Sequence, residues 1–161
     1  MISKMTYILT LTLASENYII MYVSGIHYTK ICYGGNYMEQ KFYICEHCGN
    51  IIAKVKDAGV PVVCCGQKMT EIIPGTTDAS VEKHVPVYQV EGGKVTVTIG
   101  AVEHPMQPEH YIEWVSIQTK QGNQRKLLQP GQEPKVCFAI CEGDEVEAVY
   151  AYCNLHSLWK A

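Results

Sequence analysis

The sequence predicts an all-β protein in which a small cysteine-rich unit is followed by a β-sandwich or small barrel. Short β-prone runs recur between turn sequences rich in glycine and proline, a pattern typical of such folds. No segment combines a helical spacing of apolar residues with capping residues at its ends. Four of the eight cysteines fall within residues 45–65, where they predict a metal site.

The composition narrows the class of protein. The chain has 161 residues, of which 47% are hydrophobic and 18% charged, so it can form one or two small folded domains and is not disordered overall. Its formal net charge of −3 lacks the basic excess of a general nucleic-acid binder. No apolar run approaches the roughly 18 residues of a membrane span. We therefore expect neither nucleic acid nor a membrane as a partner.

Residues 1–37 differ from the rest of the chain. A basic start and an apolar stretch fit a signal peptide only loosely, because Thr10 and Thr12 interrupt the stretch. Codons for residues 34–37 can spell a bacterial ribosome-binding site shortly before Met38. The sequence therefore predicts Met38 as the natural start, and residues 1–37 as a non-native upstream extension without ordered structure.

From Met38 onward the predicted elements are strands. Residues 41–44 and 51–56 are short β-prone runs on either side of the first Cys-x-x-Cys turn. Residues 87–90 and 94–99 predict a hairpin, because valine and isoleucine alternate with threonine in its second arm. Further predicted strands cover residues 111–119, 136–140 and 146–152, with turns at 121–123, 130–131 and 142–144.

The predicted strands divide into two groups. The stretch 74–80, Pro-Gly-Thr-Thr-Asp-Ala-Ser, has the composition of a linker. It separates a cysteine-rich unit at residues 38–73 from a histidine-bearing sandwich at residues 81–161. We call these two parts the small unit and the sandwich.

The small unit contains the first candidate metal site, Cys45, Cys48, Cys64 and Cys65. The adjacent pair is ill suited to bond to itself, because the ring it would close is strained. As thiolates, four soft ligands in a tetrahedron suit zinc or a single iron. A unit of this size has almost no core, so the metal would supply much of its folding free energy. Spacing alone leaves structural zinc and redox iron equally open.

The sandwich contains a second set of potential ligands: His84, His104, His110, Cys153 and His156. Each alone has an ordinary interpretation, as a surface or hydrogen-bonded histidine or a buried thiol. The last two are three positions apart, so one turn can present both to a single ion. Four imidazoles and one thiolate leave one position of a six-coordinate ion open, which favours iron chemistry over a closed structural site.

These motifs together resemble those of a known family. Cys45-Glu46-His47-Cys48-Gly49 followed by Cys64-Cys65-Gly66 resembles the desulforedoxin-type iron domain. The contexts of the four histidines, including Cys153-Asn154-Leu155-His156, resemble the active-site motifs of superoxide reductases. Both parts in this order, over residues 38–161, resemble desulfoferrodoxins, the two-iron superoxide reductases. Cys137 and Cys141 match no ligand motif of that family, and we interpret them as core or surface thiols.

The resemblance implies two mononuclear iron ions. One is expected on the four cysteines of the desulforedoxin- or rubredoxin-like small unit. The other is expected in an immunoglobulin-like, seven-stranded β-sandwich, with the four histidines in a plane, Cys153 on the axis and the sixth position open to solvent. The implied reaction is the one-electron reduction of superoxide to hydrogen peroxide, a defence against oxidative stress.

The resemblance also implies roles for two charged residues and several partners. Lys83 is expected to place an ammonium near the open face of the second iron, where it attracts the superoxide anion. Glu82 is similar to the carboxylate that occupies the sixth position of the oxidised iron. Without the motif both residues would be ordinary surface charges. Members of the family are usually cytoplasmic homodimers reduced by rubredoxin or a similar donor.

A protein without turnover is the alternative interpretation. The two sites would then serve electron transfer or hold zinc or iron for structure alone. Colour distinguishes these cases, because zinc is colourless while ferric iron in a four-thiolate site is red to pink.

Overall fold

The computed structural model describes residues 38–161 and, upstream of them, two paired strands, β1 (Tyr18–Val23) and β2 (Ile26–Ile31). These strands are antiparallel. The sequence predicted no ordered structure in residues 1–37, whereas these two strands lie within that range. Their sequences are rich in β-branched and aromatic residues, which favour strand pairing. The rest of that predicted extension lies outside the described residues.

The small unit contains five short strands. They are β3 (Phe42–Ile44), β4 (Ile51–Ala53), β5 (Val63–Cys64), β6 (Gln67–Lys68) and β7 (Thr70–Ile72). β3 lies between β4 and β7 in one antiparallel sheet, and β5 pairs with β6. The sequence predicted β3 and β4. It missed the other three, because strands of two or three residues are too short to show alternation.

A one-turn helix leads from the predicted linker into the sandwich. This helix, α1 (Val81–His84), was not predicted, because four residues cannot display a helical period. Among residues 38–161 it is the one helix, and the described part of the chain contains no helix with the length and apolarity to cross a membrane.

The sandwich consists of seven strands in two antiparallel sheets. The strands are β8 (Pro86–Glu91), β9 (Lys94–Ile99), β10 (Ile112–Thr119), β11 (Gly122–Leu127), β12 (Lys135–Ala139), β13 (Val146–Cys153) and β14 (Ser157–Lys160). One sheet has the order β12-β9-β8 and the other β11-β10-β13-β14. The predicted all-β fold with a seven-stranded sandwich is confirmed.

The core of the sandwich lies between these two sheets. Val95, Val97 and Ile99 of β9 are fully buried, and the threonines between them are half-buried, so the predicted alternation is confirmed. Side chains of the facing sheet complete this core, among them Ile112, Val115, Ile117, Val149 and Ala151.

A second core joins the small unit to the outer face of the four-stranded sheet. Phe42 of β3 is buried there, with its ring centroid 5.0 Å from that of Trp114 and 5.2 Å from that of Tyr150. Ile72 and Leu158 belong to the same cluster. The small unit therefore shares its largest apolar side chains with the sandwich, an arrangement that the sequence did not predict.

Strand β11 occupies a segment where the sequence predicted a turn at residues 121–123. The turn lies one position earlier, at Lys120 and Gln121, and β11 follows as an edge strand paired with β10. All six residues of β11 are exposed. A strand held by backbone pairing at a sheet edge needs no apolar alternation, so this sequence gave no strand signal.

Candidate metal centres

The five potential ligands of the sandwich come from three separate segments. His84 ends helix α1, and His104 and His110 lie in the loop from β9 to β10. Cys153 ends β13, and His156 lies in the turn before β14. One potential ligand atom from each residue lies within 4.8 Å of all the others. The structure thus brings all five together, and we call them the histidine–cysteine cluster.

Close backbone contacts hold the β9–β10 loop against helix α1. The N–H of Val102 donates to the carbonyl oxygen of Glu82 at 3.0 Å. Gly100 has φ of +82°, and a Cβ there would clash with the backbone carbonyl oxygens of Val102 and Lys83. Only glycine combines this left-handed conformation with so close an approach, so Gly100 helps to fix the loop that carries His104.

Hydrogen bonds to backbone carbonyls orient two of the rings. Nδ1 of His84 lies 2.7 Å from the carbonyl oxygen of Ser80, and Nδ1 of His104 lies 2.6 Å from that of Pro105. A carbonyl oxygen only accepts, so each Nδ1 carries the hydrogen and each neutral ring offers the lone pair of Nε2.

The ligand atoms of the cluster converge, and two of them have no hydrogen-bond donor to satisfy them. Nε2 of His104 and Nε2 of His110 are buried and have no hydrogen-bond partner. Nδ1 of His156 lies 2.9 Å from Nε2 of His84 and 3.6 Å from Sγ of Cys153. Buried polar atoms without partners are costly, and a cation at their centre would satisfy them together.

Burial keeps the three imidazoles of the loop and helix neutral. It lowers the pKa of His84 and of His110, and it lowers the pKa of His104 to about 4. Burial also raises the pKa of the Cys153 thiol, against backbone N–H groups of Leu155 and His156 that act in the opposite direction. Neutral imidazoles and a thiol that a metal can deprotonate are a suitable ligand set for ferrous iron, and the cluster fits such an ion.

The four cysteines of the small unit form a second group whose ligand atoms lie within 4.8 Å of one another. Sγ of Cys48 is 3.7 Å from Sγ of Cys64, which is 3.9 Å from Sγ of Cys65. Cys65 has φ of +51°, a left-handed conformation that lets two adjacent cysteines face one point. We call this group the four-cysteine cluster.

The sulfur atoms of this cluster do not ionise independently. The backbone N–H of Cys48 is the main cause that lowers the pKa of Cys45 to about 6. The neighbouring sulfurs of Cys48 and Cys64 raise the pKa of Cys65 to about 12. Four thiolates this close therefore need a cation to coexist, and the cluster fits the four-thiolate iron centre.

Comparison with known proteins identifies the family. The profile of the desulfoferrodoxin family matches residues 76–161, and the profile of the desulfoferrodoxin N-terminal domain matches residues 38–72. The chain belongs to the desulfoferrodoxin family. Its small unit and its sandwich thus correspond to the two parts of a desulfoferrodoxin.

Individual relatives cover most of the chain. The desulfoferrodoxin homolog of Archaeoglobus fulgidus is 47% identical over 119 residues, which are 74% of this chain and 94% of the relative. The desulfoferrodoxin of Nitratidesulfovibrio vulgaris is 42% identical over 123 residues, 76% of this chain and 96% of the relative. The crystal structure of the superoxide reductase from Treponema pallidum matches with a TM-score of 0.66 at 39% identity, covering 77% of this chain and 99% of that one.

Two charged residues predicted from the desulfoferrodoxin motifs lie on helix α1 beside His84. Glu82 and Lys83 are both exposed. The carboxylate of Glu82 accepts a hydrogen bond from the hydroxyl of Ser80 at 2.8 Å, and its own backbone N–H and this hydroxyl lower its pKa. Neither residue belongs to the histidine–cysteine cluster, and their roles stay predictions.

Sequence reasoning missed the residues of this desulfoferrodoxin that hold the ligands in place. The indole of Trp159 stacks on His84, with 4.9 Å between ring centroids, and its Nε1–H donates to the carbonyl oxygen of His156 at 2.9 Å. The carbonyls of Ser80 and Pro105 were missed too. A backbone carbonyl leaves no mark in a sequence, and only the position of Trp159 close after the last ligand could have indicated its role.

Replacing Cys64 with serine is expected to empty the four-cysteine centre while the histidine–cysteine centre keeps its iron. The two clusters share no ligand, so metal content should fall from two ions to one per chain. Metal analysis and the visible spectrum of the oxidised protein measure this. Cys141→Ser is the matched control, because Cys141 is exposed and lies in neither cluster. Loss of both metals from Cys64→Ser would contradict the independence of the two centres.

Proposed function

We propose that this protein is a superoxide reductase that defends against oxidative stress. The reaction adds one electron and two protons to superoxide and yields one hydrogen peroxide, with no release of dioxygen. The histidine–cysteine cluster carries the proposal, because its four imidazoles and one thiolate leave a six-coordinate ion one open position. The similarity to the superoxide reductase of Treponema pallidum supports it.

The five residues of the histidine–cysteine cluster would hold the reactive iron. When bound, a ferrous ion supplies the electron that superoxide takes up. The protein contributes neutral imidazoles and one buried thiolate, so its ligands offset only half of the charge of a ferrous ion and the centre stays positive. Such a centre attracts an anion to its open side.

Lys83 is proposed to bring the anion to this centre. It precedes His84 directly, its side chain is exposed, and within residues 38–161 its ammonium takes part in no salt bridge. A free cation at this place counters the negative charge of the whole protein and steers superoxide. It can also orient a water molecule that donates a proton.

Glu82 is proposed as the carboxylate that competes with small anions for the open face. It precedes Lys83 on the same helical turn, and its lowered pKa keeps it ionised at neutral pH. In this structure the hydroxyl of Ser80 holds it. A single exposed hydrogen bond costs little to break, so the carboxylate of Glu82 can exchange between the hydroxyl of Ser80 and the open side of the metal centre.

Replacing Lys83 with methionine is expected to slow the reaction with superoxide by about tenfold, the lower end of the effect of electrostatic steering. The charge is lost but no ligand is, so iron content should stay unchanged. The salt dependence of the second-order rate should also become weaker. Pulse radiolysis at several ionic strengths measures both quantities. Lys68→Met serves as control, because Lys68 is an exposed lysine of the small unit. If the second-order rate and its dependence on ionic strength are unchanged, Lys83 is an ordinary surface charge without a role in the reaction.

The partners and compartment are proposed from the family resemblance. We propose a cytoplasmic homodimer that receives its electrons from rubredoxin or a similar small redox protein. The edge strand β8 supports self-association, because all its residues after Pro86 are exposed and Val87 and Val90 are about half exposed. Light scattering of the iron-loaded protein tests the dimer, and stopped-flow oxidation of reduced rubredoxin tests the donor.

The proposed reaction is tested by its stoichiometry. The fully reduced protein is mixed without oxygen with a known amount of superoxide, and hydrogen peroxide and dioxygen are measured. A superoxide reductase yields one peroxide for each superoxide and no dioxygen. A dismutase yields half as much peroxide, with dioxygen. Decay of superoxide at the rate of the buffer alone would instead indicate an electron-transfer or structural metal protein.

A further inference from the structure

Asn154 joins two of the segments that carry the metal ligands. It follows Cys153 directly in the turn between β13 and β14. Its side-chain Oδ1 accepts a hydrogen bond from the N–H of Tyr111 at 2.9 Å, and its Nδ2 donates to the carbonyl oxygen of Glu109 at 3.0 Å. Its backbone N–H donates to the carbonyl oxygen of Tyr111 at 3.2 Å. One residue therefore holds the chain on both sides of His110.

His110 depends on its backbone more than the other imidazoles of the loop and helix do. The rings of His84 and His104 are each oriented by a hydrogen bond from Nδ1 to a carbonyl oxygen. The structure shows no such bond for the ring of His110 anywhere in residues 38–161, and its buried Nε2 has no partner. The backbone of His110 is held by a two-way pairing with Gln107 and by the contacts of Asn154.

We propose that Asn154 is a positioning residue that fixes His110 relative to Cys153 and His156. The amide suits this task because it offers an acceptor and a donor at once, which a carboxylate or a hydroxyl cannot do in the same geometry. The two side-chain hydrogen bonds hold the residues on either side of His110, so they fix the position and the orientation of its backbone. Asn154 touches no substrate. It acts on the metal centre through the backbone on either side of His110, and its Oδ1 also lies 3.9 Å from Sγ of Cys153.

The iron affinity of the histidine–cysteine centre provides the first test of this role of Asn154. Asn154→Ala should bind ferrous iron about 10–100-fold more weakly there, the usual cost of losing a partner that orients a ligand. Affinity is measured by competition with a chelator, following the iron released from this centre. The four-cysteine centre should be unaffected. Asn123→Ala is the matched control, because Asn123 lies exposed on β11, away from the cluster.

A second measurement separates positioning from general loss of structure. The protein is loaded with zinc, which is diamagnetic, and the ring signals of its histidines are recorded by NMR. In Asn154→Ala the signals of His110 should shift or broaden, while those of His84 and His104 stay in place. Unchanged His110 signals with unchanged affinity, or equal changes in all the rings, would overturn the proposal.

Asn154→Asp serves if the alanine variant does not fold. It keeps an acceptor for the N–H of Tyr111 but replaces the donor to Glu109 by an oxygen. Its affinity and its His110 signals should therefore change in the same direction, and wild-type values for both would overturn the proposal. Iron affinity and the His110 signals report on the metal centre itself, so they test the role of Asn154 independently of whether the protein reduces superoxide.

Discussion

Replacing Cys153 with serine is expected to abolish superoxide reduction and the visible absorption of the histidine–cysteine centre, while the four-cysteine centre keeps its colour. Cys153 is fully buried and is the one sulfur in its cluster. Thiolate-to-iron charge transfer gives ferric iron its colour, and a serine hydroxyl does not supply it. The thiolate also donates electron density to the metal. Loss of a residue that only orients a metal ligand usually costs up to roughly 100-fold in activity. Because Cys153 is itself a ligand, the activity of Cys153→Ser should fall by more than that.

The measurement is a spectrum of the oxidised variant beside a superoxide-consumption assay at known iron content. Cys137→Ser is the control, because Cys137 lies on β12 and its sulfur contacts the hydroxyl of Thr96 instead of a metal cluster. If Cys153→Ser binds iron at the histidine–cysteine centre and keeps full activity, the thiolate has no role in the reaction.

Replacing Phe42 with alanine is expected to destabilise the protein by about 3–5 kcal/mol, the usual cost of deleting a buried phenylalanine ring. Only 1% of Phe42 is exposed, and its ring packs between the small unit and the aromatic side chains of Trp114 and Tyr150. The loss should loosen the small unit from the sandwich without removing a metal ligand. Chemical denaturation of the iron-loaded protein measures the free energy of unfolding.

A matched control for this prediction lies in the same unit. Val55 is 98% exposed, so Val55→Ala should change the free energy of unfolding by no more than about 0.5 kcal/mol. A cost below about 1 kcal/mol for Phe42→Ala would mean that the shared core contributes little and that the small unit is held mainly by its metal.

The strands and ligand groups that sequence reasoning found are those with a local signal. Strand β9 was predicted because valine and isoleucine alternate with threonine, and one face of that strand is buried. The ligands were found because cysteine and histidine are rare enough for their spacing to be informative. Which metal the four cysteines hold did not follow from spacing, because zinc and iron accept the same tetrahedral thiolates.

The features that sequence reasoning missed depend on contacts between distant residues. The shared core brings Phe42 together with Trp114 and Tyr150, and no local pattern announces that contact. Strand β10 carried an indirect signal, since apolar residues of Ile112–Thr119 fall on both of its faces: Val115 and Ile117 lie in the core between the sheets, and Trp114 lies on the outer side. A strand covered on both faces shows this pattern, so the sequence did contain evidence that something packs on the outer side. It did not identify the small unit as the cover.

The apolar outer face of the four-stranded sheet limits how the two halves can be separated. Trp114, Tyr150 and Leu158 are buried because Phe42 and Ile72 lie over them. A sandwich produced without the small unit would expose these side chains to water as a hydrophobic patch. It would be prone to aggregation even with every ligand of its iron in place. Gene fission, or the design of a minimal one-iron protein from this chain, would therefore need polar replacements on that face first, while the metal site itself could stay as it is.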